Sequence, residues 1–304
     1  MRSEKPLGIL IAVGNQKGGV GKTTNTVQIA AALGYRGYRC LIIDLVPDAG
    51  ATRHLGVRQN SFAGSLELMT TEETIESLVI TEKMPQGVHL IASRRQLAEL
   101  DKIVSKFMHP TELLERPLRR ARELYDFVFL DTAPEAGAIA TVAAYCTADW
   151  FLLSAFPHPL SLGGLSDAFS DISDVRKRKN PNLQVLGVVF TNVDGRTKLL
   201  RAELETTVRK VLPGREFQTV ISQAIILPEV SGRGKTLFQL PKFSRLAVAQ
   251  QYLRLSVEVE HRVCNRDAFL AGTLGPPDFT VLNGLGENEA EPEQGSEQAV
   301  VVNG

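Results

Sequence analysis

The sequence predicts an α/β fold: a doubly wound, mostly parallel sheet with helices on both faces. Two observations predict it. Apolar runs of strand length at residues 8–13, 39–46, 88–92, 125–131, 150–156, 185–192 and 218–222 alternate with helix-like segments; strands covered on both faces require such runs. Between the first run and the first helix stands Lys17-Gly18-Gly19-Val20-Gly21-Lys22-Thr23-Thr24, in the strand, glycine loop, helix order of a phosphate-binding turn.

In that loop the glycines let successive backbone N–H groups turn toward one phosphate chain. The positive end of the following helix points the same way. Lys22 is spaced to reach the terminal phosphates, and the Thr23 hydroxyl to ligate a magnesium ion bridging them. The pattern points to a nucleoside triphosphate. It departs from the usual phosphate-loop spacing, because Gln16 stands where the first glycine belongs and Lys17 brings a second cation into the loop.

The helix after the loop covers residues 24–33, packs through Ala30, Ala31 and Ala32, and stops at Gly34. A second buried strand, 39–46, leads into Asp44-Leu45-Val46-Pro47-Asp48-Ala49-Gly50-Ala51-Thr52. That turn is expected to face the ligand, since ligands of open α/β sheets collect at the carboxyl ends of strands. Residues 57–83 read as two short helical pieces, and the strand at 88–92 ends at Ser93-Arg94-Arg95. A helix over 111–125 carries Arg116, Arg119, Arg120 and Arg122, which read as a solvated face. The strand after it ends in Asp131, a second acid for the magnesium site, acting through a water in the metal's shell. Arg176 to Lys179 close a helix whose dipole favours cations there. The last long helix, 243–263, packs through Leu246, Val248, Tyr252, Leu255 and Val259.

From Gly275 onward Gly, Pro, Glu and Gln dominate, so the expected organisation is a domain at 1–265 and a flexible acidic tail at 266–304. The 34 Lys and Arg balance 34 Asp and Glu over 304 residues. Glu287, Glu289, Glu291, Glu293 and Glu297 lie in the tail, leaving the remainder mildly basic, as a nucleic-acid partner permits. Cys40, Cys146 and Cys264 stand alone, without zinc spacing, which fits a reducing cytoplasm. No run approaches the roughly 20 apolar residues of a membrane span, and the apolar run behind Arg2 and Lys5 reads as a core strand rather than a signal peptide.

The loop K-G-G-V-G-K-T-T resembles the deviant phosphate loop of the ParA/MinD ATPases. The likeness continues at Ile43 to Thr52, similar to that family's I-D-x-D-P-Q-G-N-A-T, at Tyr125 to Pro134, and at Val185 to Thr197. The resemblance, to ParA/Soj-type partition proteins, covers nearly everything between residues 8 and 263. The resemblance implies ATP and Mg2+ as cofactors and an ATP-driven homodimer in which Lys17 of each chain touches the other's nucleotide. It assigns catalysis to Lys17, Lys22 and Asp44, nucleotide contacts to the loop from Lys17 to Thr24, and metal binding to Thr23 and Asp131. Asp48 joins the catalytic candidates on its place beside Val46, and Asn192 the nucleotide contacts on its place at the end of a strand. The resemblance further implies non-specific DNA binding by Arg196, a ParB-like or cargo-adaptor partner and a nucleoid-associated protein. Lys198 and Arg201 stand where they extend that cationic face along the next helix. The last long helix is not placed at the extreme C-terminus, as a membrane-binding helix is expected to be, so no membrane attachment is expected.

Two departures stand against it. Val46 occupies the place of the family's second aspartate, and a valine can neither accept a proton nor orient a water; Asp48, two residues on, is the candidate substitute. Ile226 occupies the place of a DNA-contacting arginine, with Arg233, Lys235, Lys242 and Arg245 as candidate replacements. The alternatives are a hydrolysis-deficient, ATP-switched DNA-binding or regulatory protein, and a MinD-like positioning ATPase. An iron-protein reading lacks paired cysteine ligands, and a tyrosine-kinase reading lacks a terminal tyrosine cluster.

Overall fold

A computed structural model describes residues 7–58, 62–105, 109, 112–135, 137–157, 161–194 and 198–285. The strands are β1 (Ile9–Gly14), β2 (Cys40–Asp44), β3 (Val88–Ile91), β4 (Phe127–Asp131), β5 (Trp150–Ala155) and β6 (Gln184–Phe190). The α-helices are α1 (Lys22–Tyr35), α2 (Gly50–His54), α3 (Ser65–Thr70), α4 (Ile75–Leu78), α5 (Leu100–Val104), α6 (Glu115–Leu124), α7 (Ile139–Thr147), α8 (Ser161–Arg178), α9 (Lys198–Val211), α10 (Ile226–Gly232), α11 (Ala247–Cys264) and α12 (Arg266–Leu270).

The six strands form one sheet in the order β3-β2-β4-β1-β5-β6, every pairing parallel. Successive side chains of a strand face opposite sides, so the apolar runs divide between two cores. Leu10, Leu41, Val128, Leu130, Phe151 and Leu153 pack on one face beneath α3 to α8. Ile11, Val13, Ile42, Phe129, Trp150 and Leu152 pack on the other against α1 and α11. This is the doubly wound sheet that the alternating runs predict. Because every strand runs the same way, Gly14, Asp44, Asp131, Ala155 and Phe190 end at one edge, and the loops that carry chemistry gather there.

The predicted strand at 218–222 does not form. The segment runs along the outer edge of β6, with isolated bridges pairing Glu216 with Val188 and Ser222 with Val193, and a separate bond from the Ile221 N–H to the Phe190 carbonyl at 2.9 Å. The reason lies in α11: the carboxylate of Glu258, 2% exposed, accepts the backbone N–H groups of Gln218 and Thr219, both at 2.8 Å. A buried carboxylate outcompetes a neutral carbonyl for these donors, so the ladder is interrupted. The last long helix begins at Ala247, because Phe243–Arg245 forms a separate 3-10 turn. Val248, Tyr252, Leu255 and Val259 face the core as expected.

The arginines of α6 divide. Arg116, Arg119 and Arg120 pair with Glu72, Glu115, Glu76 and Glu123 at the surface, where such pairs add little stability. Arg122 is no solvated residue: it grips Asp149 through both terminal guanidinium nitrogens, at 2.6 and 2.8 Å, and also donates to the Gly8 carbonyl. Beyond residue 265, Phe269 is buried and Leu274 and Leu282 pack on the α11 side of the sheet. Arg254 lies over the Phe279 ring at 3.8 Å. Residues 286–304, with the tail glutamates, lie outside the described residues.

Candidate nucleotide-binding site

The glycine loop leaves β1 and enters α1 through two left-handed residues, Gly19 at φ 74° and Gly21 at φ 82°. A side chain at either position would strain the backbone. Gly21 is the N-cap of α1 and has no side chain to cap the first turn, so the helix N–H groups there remain available to an anion. Val20 is buried, while Gly18 and Gly19 are exposed. Thr191, at the end of β6, steadies the loop from outside by donating its hydroxyl to the Val20 carbonyl at 3.1 Å.

Lys22 opens α1, 8% exposed, and its Nζ donates to the Lys17 carbonyl at 2.9 Å. Burial lowers the pKa of this ammonium, against the pull of Asp131 and Glu135. The next residue, Thr23, donates its hydroxyl to Asp131 Oδ2 at 2.8 Å. One turn on, Thr26 reaches Asp131 Oδ1 at 3.1 Å. Helical spacing places Lys22, Thr23 and Thr26 on the turn that faces the end of β4.

The parallel register of β2 and β4 sets Asp44 opposite Asp131. Both are fully buried. Asp44 is held by the N–H and hydroxyl of Thr52, at 2.9 and 2.8 Å, and by the N–H of Val46 at 3.1 Å. Burial raises the pKa of both carboxyls, and for Asp131 the neighbouring Asp44 charge raises it further. Two acids side by side without solvent resist ionising together. Their oxygens and the Thr23 hydroxyl form a hard donor set of the kind a magnesium ion takes.

Val46 sits in the turn after β2, its carbonyl accepting from the Ser93 hydroxyl at 2.7 Å and from Ala49 N–H at 2.8 Å. Asp48 is exposed on the same turn. Ala49, at φ 50°, is the N-cap of α2, and Gly50 lies so close to Thr23 that an added Cβ would sit 3.1 Å from its hydroxyl. The turn is thus clamped between α1 and the end of β3.

Asn192 lies exposed at the same edge, just beyond β6, in the left-handed region at φ 53°. Thr24 is half-buried in the first turn of α1, and Lys17 half-buried in the loop. Arg196 lies outside the described residues. So do the side chains of Lys198 and Arg201, which fall in the first turn of α9. Arg233, Lys235 and Arg245 are exposed around α10 and the 3-10 turn that follows, and Ile225, just before α10, is 80% exposed. Sequence reasoning brought out Lys22, Thr23, Asp44 and Asp131, which the structure gathers at one place. It missed Asn15, Ser93 and Ser154, whose signal is a polar residue inside or just after an apolar run, and Thr26 and Thr52, which carry no such signal.

His54, at the end of α2, is 3% exposed and meets Gln28 of α1 through Nε2 at 3.3 Å. Burial drives its pKa down to about 4. A histidine depressed in this way stabilises the fold above its unfolded value of 6.5 and loses that contribution as pH falls through the folded value. Thermal melts between pH 7 and 4 should show an acid-side loss on the order of 3 kcal/mol that His54→Gln flattens; an unchanged acid limb in the variant would assign the loss to other groups.

Among the described residues no helix is long and apolar enough to cross a membrane. A family model described as an AAA domain matches residues 8–185. The chain is 36% identical over 253 residues to the chromosome-partitioning ATPase Soj of Thermus thermophilus, spanning 83% of this chain and 96% of that one. It is 30% identical over the same length to the sporulation initiation inhibitor protein Soj of Bacillus subtilis, 83% and 98% of the two chains. Among solved structures it resembles the McdA–ATP complex of Cyanothece, at 18% identity and a TM-score of 0.73 over 86% of this chain and 98% of that one, a likeness of fold.

Proposed function

Because the chain belongs to the ParA/Soj branch of the ParA/MinD P-loop ATPases, we propose that it is a positioning ATPase that dimerises on ATP. In this reading the dimer binds DNA without sequence preference and drives partition of a plasmid, chromosome or other cargo with a ParB-like partner. The observation that carries the reading is the buried meeting of Lys22, Thr23, Asp44 and Asp131 at the end of the glycine loop. Magnesium fits this place: Thr23 would ligate it, with Asp131 acting through the metal's water shell and Asp44 beside it. The ion would neutralise phosphate charge and relieve the repulsion between the two carboxyls. The chain's own groups do the rest. The loop N–H groups and Lys22 hold the phosphates, Lys17 reaches the partner's nucleotide, Asn192 contacts the base, and Arg196, Lys198 and Arg201 bear on DNA.

Val46 favours a second reading, an ATP-locked dimer that binds DNA and turns over little or not at all. Its side chain offers no acceptor to an attacking water, which leaves Asp48, two residues on in the same turn, as the candidate substitute. One experiment separates the two: ATP turnover of the purified protein with and without non-specific duplex DNA and a ParB-like partner, beside Lys22→Ala. Slow turnover that DNA and partner raise together supports the cycling ATPase. Nucleotide binding and dimer formation with turnover no greater than in the variant supports the locked form.

A further inference from the structure

Four buried polar side chains join the core to the loop that carries Lys17. Tyr252 of α11, 1% exposed, donates its hydroxyl to Asn25 Oδ1 of α1 at 2.9 Å. Asn25 Nδ2 donates to the Ser154 hydroxyl of β5 at 2.8 Å. The Ser154 carbonyl accepts from Asn15 Nδ2 at 2.7 Å, and Asn15 Oδ1 accepts the Lys17 backbone N–H at 2.9 Å. Asn15 is 3% exposed, and Asn25 and Ser154 are fully buried.

Apolar side chains would fill this volume with less at stake, because every buried donor or acceptor must find a partner. What a satisfied chain of amides adds is direction. Asn15 has one arm on rigid β5 and the other on the Lys17 N–H, while Lys22 holds the Lys17 carbonyl from the opposite side. The peptide groups on both sides of the Lys17 Cα are therefore fixed, and so is the direction in which its side chain leaves the loop. Gly18 and Gly19, which follow, offer no such constraint.

We propose that Asn15 is a positioning residue for Lys17: it aims the lysine out of its own loop and toward the nucleotide of a second copy of the chain. The inference rests on the cross-dimer role given to Lys17 above. It assigns Asn15 to ATP-driven dimer formation and turnover rather than to holding the nucleotide of its own chain. The Ser154 main-chain carbonyl, part of the β5 backbone, is the support that keeps Asn15 from rotating, while Asn25 and Tyr252 tie the Ser154 side chain to α1 and α11.

The test is a double-mutant cycle on the full-length protein with Asn15→Ala and Lys17→Ala. Its readouts are the affinity for a fluorescent ATP analogue, ATP-dependent dimer formation by light scattering, phosphate release, and the thermal midpoint. Asn15→Ala should leave analogue affinity within about threefold of wild type and lower dimer formation and turnover at least about tenfold. The double variant should lose no more than Lys17→Ala alone, since a group acting through another is non-additive with it. Asn15→Ser, whose hydroxyl can still accept the N–H two residues on, should recover part of the loss, and it stands in for the alanine variant if that one does not fold. Additive losses, or normal dimer formation in Asn15→Ala and Asn15→Ser while Lys17→Ala fails, overturn the positioning role alone. Wild-type dimer formation and turnover in Lys17→Ala overturns the cross-dimer reading, and the present inference with it.

Discussion

Replacing Lys22 by alanine should lower ATP turnover by about three orders of magnitude, the scale on which removing one preorganised charge from a dry site acts. The size of the effect follows from where the ammonium sits. Lys22 is almost fully buried, burial already depresses its pKa, and its Nζ is fixed on the Lys17 carbonyl at 2.9 Å. Charge held in that way acts at low local dielectric and need not reorganise when phosphate charge develops. The fold should tolerate the change. The side chain packs at the head of α1 rather than in either apolar core, and deleting a desolvated cation removes a cost along with its contacts. Steady-state phosphate release and a thermal melt on the same sample check both halves. Turnover within tenfold of wild type would place the chemistry away from the glycine loop.

Removing magnesium should make the protein less stable as pH rises, the reverse of the usual behaviour of paired acids. Asp44 and Asp131 sit opposite each other on adjoining strands, both fully buried, and both titrate above the ordinary carboxylate value. A raised folded pKa means that the folded state holds its proton more tightly than the unfolded chain. Its contribution to stability is complete below the unfolded value of 3.8 and is lost as pH climbs through the folded values, about 6 and about 7. In chelator, the thermal midpoint contribution of this pair should therefore decline from mildly acid to neutral pH, and excess Mg2+ with ATP should restore it.

Asp131→Asn separates this pair from other titrating groups. The amide keeps the shape of the carboxyl and can still bond to the Thr23 and Thr26 hydroxyls, but it carries no charge. At pH 8 in chelator the variant should be more stable than wild type by about 1 to 3 kcal/mol, each pKa unit being worth about 1.4 kcal/mol. The gain should shrink toward zero near pH 4. Its magnesium-dependent turnover should fall at least about a hundredfold, as expected when a charged group of a metal site is neutralised. A variant less stable than wild type at pH 8 would mean that the carboxylate is satisfied as an anion by neighbours other than a metal.

Short-range chemistry was legible in the residues. Lys17 to Thr24 carries the glycines, the lysines and the hydroxyls in one unbroken stretch, and left-handed turns at Gly19 and Gly21 are what such a stretch encodes. The buried strands announced themselves by apolar runs, and Asp44 and Asp131 by standing at the ends of those runs. The segment at 218–222 misled because its composition suits a strand, while the group that takes its N–H donors, Glu258, lies about forty residues further along the chain. Arg122 misled in the same way, sharing a helix with solvated arginines but meeting Asp149 of a different loop.

The amino-acid order was thus sufficient for the loop, its helix, the two acids and the α/β class, since each of these depends on residues that touch within a few positions of one another. Tertiary structure alone decided that Asp44 lies beside Asp131, that Thr23 meets an acid 108 positions away, and that Asn15 is anchored on Ser154 across 139 positions. Those meetings depend on which strand lies next to which. Strand order is set by the packing of two cores on opposite faces of the sheet, and no local pattern of residues encodes it.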